Sequence, residues 1–115
     1  MNEDGLTRDF FSGGSPQRLA PIEANAAAEK YFPKGESRNR VKELLVQNSF
    51  TVSERAISNV PQDCQDCEAL FVNARRDIGT GGLKVAPPEY SLVVQIGFKD
   101  GKSKSVRGWV VKNAY

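Results

Sequence analysis

The sequence predicts an α+β domain in which two N-terminal helices, joined as a helix–turn–helix, pack on an antiparallel sheet of three to four strands. Three observations predict it. Helix-forming sequence flanks a hard Pro33-Lys34-Gly35 break. Beyond Asn48 come four segments of strand length, rich in β-branched residues. One of these, Ser91–Lys99, sets Leu92, Val94, Ile96 and Phe98 on one face and is followed by an Asp100-Gly101 turn.

A chain of 115 residues holds one core. Residues 1–21 read as a flexible leader, because "DGLTRDFFSGGSPQRLAP" mixes Gly, Ser, Pro and charge without periodicity. Phe10 and Phe11 stand out there as a short docking anchor or as two aromatics in an unstructured tail. Residues 22–115 read as the folded domain. Pro21 opens the first helix, since proline is tolerated in a first turn and Glu23 suits the positive end of the helix dipole. Alanines carry it on, and Pro33 and Gly35 stop it. Ser37 restarts the pattern, its oxygen able to accept from the free amides of the next turn. Val41, Leu44 and Leu45 follow at i, i+3 and i+4 and are expected on Leu92, Val94 and Ile96, with Arg38, Arg40 and Lys42 toward solvent.

The four strands are expected in "SFTVSERAI", "EALFVNARR", "SLVVQIGFK" and "KSVRGWVVKN". Parity constrains the last hairpin. A three-residue loop with Gly101 left-handed pairs residue 94 with 106 and 92 with 108, which places Val106 and Val110 beside Leu92, Val94 and Ile96. Trp109 then lies on the opposite face, near Val93. A two-residue Asp-Gly turn sets Arg107 and Trp109 among the core residues instead, mixing the faces.

Composition excludes little and supplies no catalytic signature. Charged residues are 26% and hydrophobic residues 39%, an ordinary globular balance, and the net charge of +2 is no argument for nucleic acid. No apolar run reaches membrane-spanning length. "MNEDGLTRDF" lacks the charged and apolar regions of a signal peptide. Histidine is absent, which removes the commonest general base and metal ligand.

Four motifs remain. Cys64 and Cys67 form "CQDC"; Asp63, Asp66 and Glu68 around them raise thiol pKa, against a redox pair. A zinc site needs four ligands, so two cysteines would have to recruit carboxylates or a second chain. A disulfide is expected, with free thiols and zinc or redox use as alternatives. "GTGG", with Gly81 and Gly82, lacks the Gly-Lys-Ser/Thr ending of a phosphate loop and reads as a mobile loop within residues 79–89. "PPEY" reads as a rigid turn into the third strand or as a proline-rich ligand. Lys99, Lys102, Lys104 and Arg107 make a basic hairpin, either solvated or facing an acidic partner or anionic lipid.

At "KGESRNRVKELL" the chain resembles small bacterial envelope lipoproteins of the BamE (SmpA/OmlA) type. Those domains open a second helix with Gly-x-Ser/Thr-x-x-x-Val and a leucine pair, here Gly35, Ser37, Val41, Leu44 and Leu45. Their last hairpin reads roughly Phe-x-Asp-Gly, here Phe98, Asp100 and Gly101. The β-lactamase-inhibitor-protein fold is similar, with a helix–loop–helix and four strands. Where the envelope domains close the helix with Gly-x-Pro, this chain has Gln47, Asn48 and Ser49.

The resemblance implies a noncatalytic protein-binding module of the bacterial cell envelope, acting in outer-membrane assembly. A toxin immunity protein or enzyme inhibitor is the alternative, and a small enzyme or thiol-redox protein using Cys64 and Cys67 the second. The expected binding residues are Val93, Trp109, Arg107, Gly81 and Gly82, with no catalytic residue, metal or cofactor. The expected partner is another protein, an envelope component or a secreted enzyme or toxin, and not nucleic acid. Membrane anchoring, if present, is expected through an N-terminal lipid missing from this sequence. The expected localisation is periplasm or outer membrane if Met1 replaces such a signal, and cytoplasm otherwise.

Overall fold

The computed structural model describes residues 5–16, 20–78 and 89–113. Among them the architecture is α+β: three α-helices and a five-stranded antiparallel sheet. In chain order these are α1 (Gly5–Phe10), β1 (Ile22–Glu23), α2 (Asn25–Tyr31), α3 (Arg38–Gln47), β2 (Thr51–Arg55), β3 (Phe71–Ile78), β4 (Tyr90–Lys99) and β5 (Lys102–Lys112). Across the sheet the order is β1-β5-β4-β3-β2.

The β4–β5 hairpin organises the rest. Its turn has two residues, Asp100 and Gly101, both left-handed at φ 53° and 78°. That is the turn whose twist suits adjacent strands. It corrects the expected three-residue loop. One step away the register slips: Gly97 faces Ser105 while Phe98 faces Ser103. This bulge restores the parity that the short turn would have broken. Leu92 therefore faces Val110, Val94 faces Gly108 and Ile96 faces Val106, two residues from the expected register. The faces come out as expected, with Val93 opposite Trp109.

The inner face carries Leu92, Val94, Ile96, Val106 and Val110, all buried in one core with Val72 and Phe98. The helices close over it. Gly108 lets them come near, since a Cβ there would stand 2.9 Å from the Ala28 Cβ and 3.0 Å from the Phe10 ring. The small side chains of α2 serve the same approach: Ala28 is fully buried. In α3, the Ser37 hydroxyl accepts from the Arg40 amide at 3.2 Å, the expected N-cap. Val41 and Leu45 are buried, whereas Leu44 is only half-buried at the margin of the same core.

Three expectations need correction. The leader is not featureless: Gly5–Phe10 is helical, and Leu6 and Phe10 are 2% and 1% exposed. Their i, i+4 spacing puts both on one side of a short helix that rests on α2 and β5. Pro21 does not open a helix. Ile22 and Glu23 extend instead and pair with Val110 and Trp109, so the helix starts at Asn25. That pairing gives the sheet its fifth strand. Arg38 does not point into solvent: its guanidinium lies 4.4 Å from the Phe98 ring centre and donates to Glu54 and Glu68.

A candidate protein-docking face on the sheet

Helices cover only the inner face. On the outer face, direct pairings place one row of residues across all five strands: Glu23, Trp109, Val93, Arg75 and Thr51. A second row runs Arg107, Gln95, Asn73 and Ser53. Trp109, Val93 and Arg107 are each half-buried. The Arg107 guanidinium stands 5.0 Å from the Trp109 ring centre, within cation–π range. Three of the sequence-predicted binding residues thus share one surface. Gly81 and Gly82, and with them the loop 79–88, lie outside the described residues.

One end of this face is capped. A 3-10 turn at Gln62–Cys64 lays Cys64 on the sheet, 1% exposed. A Cβ on Gly97 would stand 2.5 Å from both the Cys64 Sγ and the Phe71 ring, so only glycine admits them. Cys64 and Cys67 are at disulfide distance, their Cα atoms 4.9 Å apart. The segment is also tied by charge. Asp66 accepts from Lys99 and Lys104, both at 2.7 Å, and the two ammonium groups, Lys104 foremost, hold its carboxyl well below the usual range. Glu68 accepts from the Gly101 amide and from Arg38, and both lower its pKa. Two cations of the basic hairpin therefore serve inside the domain.

Toward β2 the face opens into a groove of about 560 Å³, lined among others by Thr51, Ser53, Arg55, Arg75, Asp77 and Val93. Asp77 accepts from Ser91 at 2.6 Å and from Arg75 at 3.1 Å, which lower its pKa, the serine bond first. Arg75 also reaches Asn113 at 2.7 Å. Arg76, which faces the core residue Leu92 in the register, donates from its guanidinium to the Asn48 carbonyl at 3.3 Å. Sequence reasoning missed this groove. Arg55 and Arg75 stand on alternate-residue positions that show a shared face only once β2 and β3 are in register.

No described helix is long and apolar enough to cross a membrane. Comparison with family models, with characterised proteins and with solved structures finds no significant match to this chain.

Proposed function

We propose that this chain is a noncatalytic protein-binding module of the bacterial cell envelope, of the outer-membrane assembly kind that its Gly35–Leu45 and Phe98–Gly101 segments resemble. The observation that carries the binding half is the asymmetry of the sheet. The inner face is sealed by three helices, while the outer face keeps Trp109, Val93 and Arg107 half-exposed in adjoining positions. Tryptophan and arginine are among the residues that most often anchor an interface, and here the two stack. The cysteine pair supports the envelope half, since thiols three residues apart pair readily in an oxidising compartment.

The test is capture of a partner from envelope extract by the wild type, Trp109→Ala and Arg107→Ala, each checked for an intact fold by circular dichroism. An anchor tryptophan contributes about 2 kcal/mol or more, so capture by Trp109→Ala should fall roughly thirtyfold. Undiminished capture by both variants removes this face as the docking surface. Unfolding of Trp109→Ala alone would assign the ring to the core and leave Arg107→Ala to decide.

A further inference from the structure

The two edges of the sheet are treated differently. Along β5 the outer edge is engaged: Ile22 and Glu23 pair with it, Gly108 donates to the Asn25 side chain, and Ser103 exchanges backbone bonds with Gly35 and Glu36. Along β2 no described segment pairs with the edge away from β3. Thr51, Ser53, Glu54 and Arg55 are exposed. Proteins blunt such an edge with proline, lysine, other charges, a bulge or a short strand. Thr51–Arg55 is short and carries Glu54 and Arg55 but has neither proline nor lysine, and it pairs with β3 in unbroken register. Five residues of strand offer about 17 Å of unpaired backbone.

Charge says what would complete it. The groove beside this edge is lined by Arg55 and Arg75, and its one carboxylate, Asp77, already receives Ser91 and Arg75. On the other side of β2, Glu54 is engaged by Arg38 and Lys42. A second copy of this chain is a poor occupant. Pairing β2 with β2 would bring both sets of arginines to one seam with no spare acid between them. An acidic strand meets the same arginines with attraction. We propose that β2 accepts an extended acidic segment of a partner protein as a sixth strand, its carboxylates on the outer face meeting Arg55 and Arg75. The backbone would supply affinity and the alternate side chains the selectivity. This rests on the binding-module reading but not on Trp109. That ring sits three strands away from β2, about 14 Å at ordinary strand spacing.

Fluorescence anisotropy with labelled peptides of about seven residues tests it. One peptide alternates glutamate with valine, one alternates lysine with valine, and one repeats the acidic sequence with every second amide N-methylated. The acidic peptide should bind, and the lysine and N-methylated peptides should not. Arg55→Glu and Arg75→Gln should each weaken binding roughly tenfold or more, the worth of a charge-assisted hydrogen bond. Trp109→Ala should leave it unchanged. Equal binding by the N-methylated peptide overturns strand addition, and indifference to Arg55→Glu overturns the acidic partner. Tighter binding of single-stranded DNA than of the acidic peptide overturns it in favour of a phosphate backbone. A concentration-dependent dimer lost in Arg55→Glu overturns it in favour of self-pairing. Should Trp109→Ala lose its envelope partner while no acidic peptide binds the wild type, the binding-module reading stands and this proposal alone falls.

Discussion

Phe10→Ala decides whether residues 5–16 belong to the domain. The Phe10 ring is 1% exposed and rests on Gly108, where even a methyl group would stand 3.0 Å away. Its neighbours reinforce the position: Asp9 accepts from Lys30 at 2.8 Å and from Tyr31 at 2.7 Å, and Phe11 meets Tyr90 edge-on at 5.5 Å. Truncating a fully buried phenylalanine usually costs about 3–5 kcal/mol. Here the loss is capped, because a helix of six residues can undock before the rest unfolds. A cost of about 2–4 kcal/mol follows, which at roughly 4 °C per kcal/mol lowers the melting temperature by about 8–16 °C. Urea melts of wild type, Phe10→Ala and a variant lacking residues 1–16 measure it, with the truncation setting the ceiling. Amide exchange in α1 gives an independent reading. A loss under about 0.5 kcal/mol in both variants would mean that α1 contributes nothing and that the aperiodic-leader reading was right.

Other outcomes follow from the capped end of the sheet and from its charges. Cys64→Ala with Cys67→Ala should cost about 2 kcal/mol, because closing so short a loop removes little entropy from the unfolded chain. Thiol titration of denatured protein from an oxidising compartment should find no free thiol. Gly97→Ala should destabilise by about 1–3 kcal/mol through overpacking against Cys64 and Phe71. It should cost less in the double-cysteine variant, so a coupling of zero would mean that the sulfur does not sit on Gly97. Asp9, Glu54, Asp66, Glu68 and Asp77 all have lowered pKa values, so their contribution is present above the usual carboxylate range and is lost as pH falls. Lys30 and Lys99 are raised, so theirs is present below 10.5 and is lost above it. Urea midpoints against pH at low salt should be flat between about pH 5 and 10 and fall on both sides, and a rise toward pH 3 would contradict the charge assignments.

Periodic elements were legible in the sequence and non-local ones were not. Ser37 and the Val41–Leu45 stripe announce α3 because cap and stripe are local signals. The faces of β4 and β5 were legible from parity, which is how Trp109 was placed beside Val93. The hairpin register was not, since turn and bulge each shift it and only their sum is visible in the pattern. Ile22 and Glu23 resemble the start of an alanine-rich helix, and nothing nearby tells that an eleven-residue strand some eighty residues later leaves an edge open to them. α1 offered only Leu6 and Phe10. Arg38 looked like a solvated cation because its partners, Glu54, Glu68 and Phe98, lie far along the chain. The outer-face groove depends on the β2–β3 register, which no local residue reports.

The hairpin that organises the sheet is also the last part of the described chain to be made. Every helix precedes it on the ribosome, and each of them buries its apolar side against residues between Leu92 and Val110. While those residues are still inside the exit tunnel, the helices have only part of their packing surface, α3 against β2 and β3 and α1 against α2, and short helices alone are marginal in water. The nascent chain therefore completes its core late. The two-residue turn brings β4 and β5 together last and supplies the centre of the sheet, on which α2 makes most of its contacts and which joins β1 to β3.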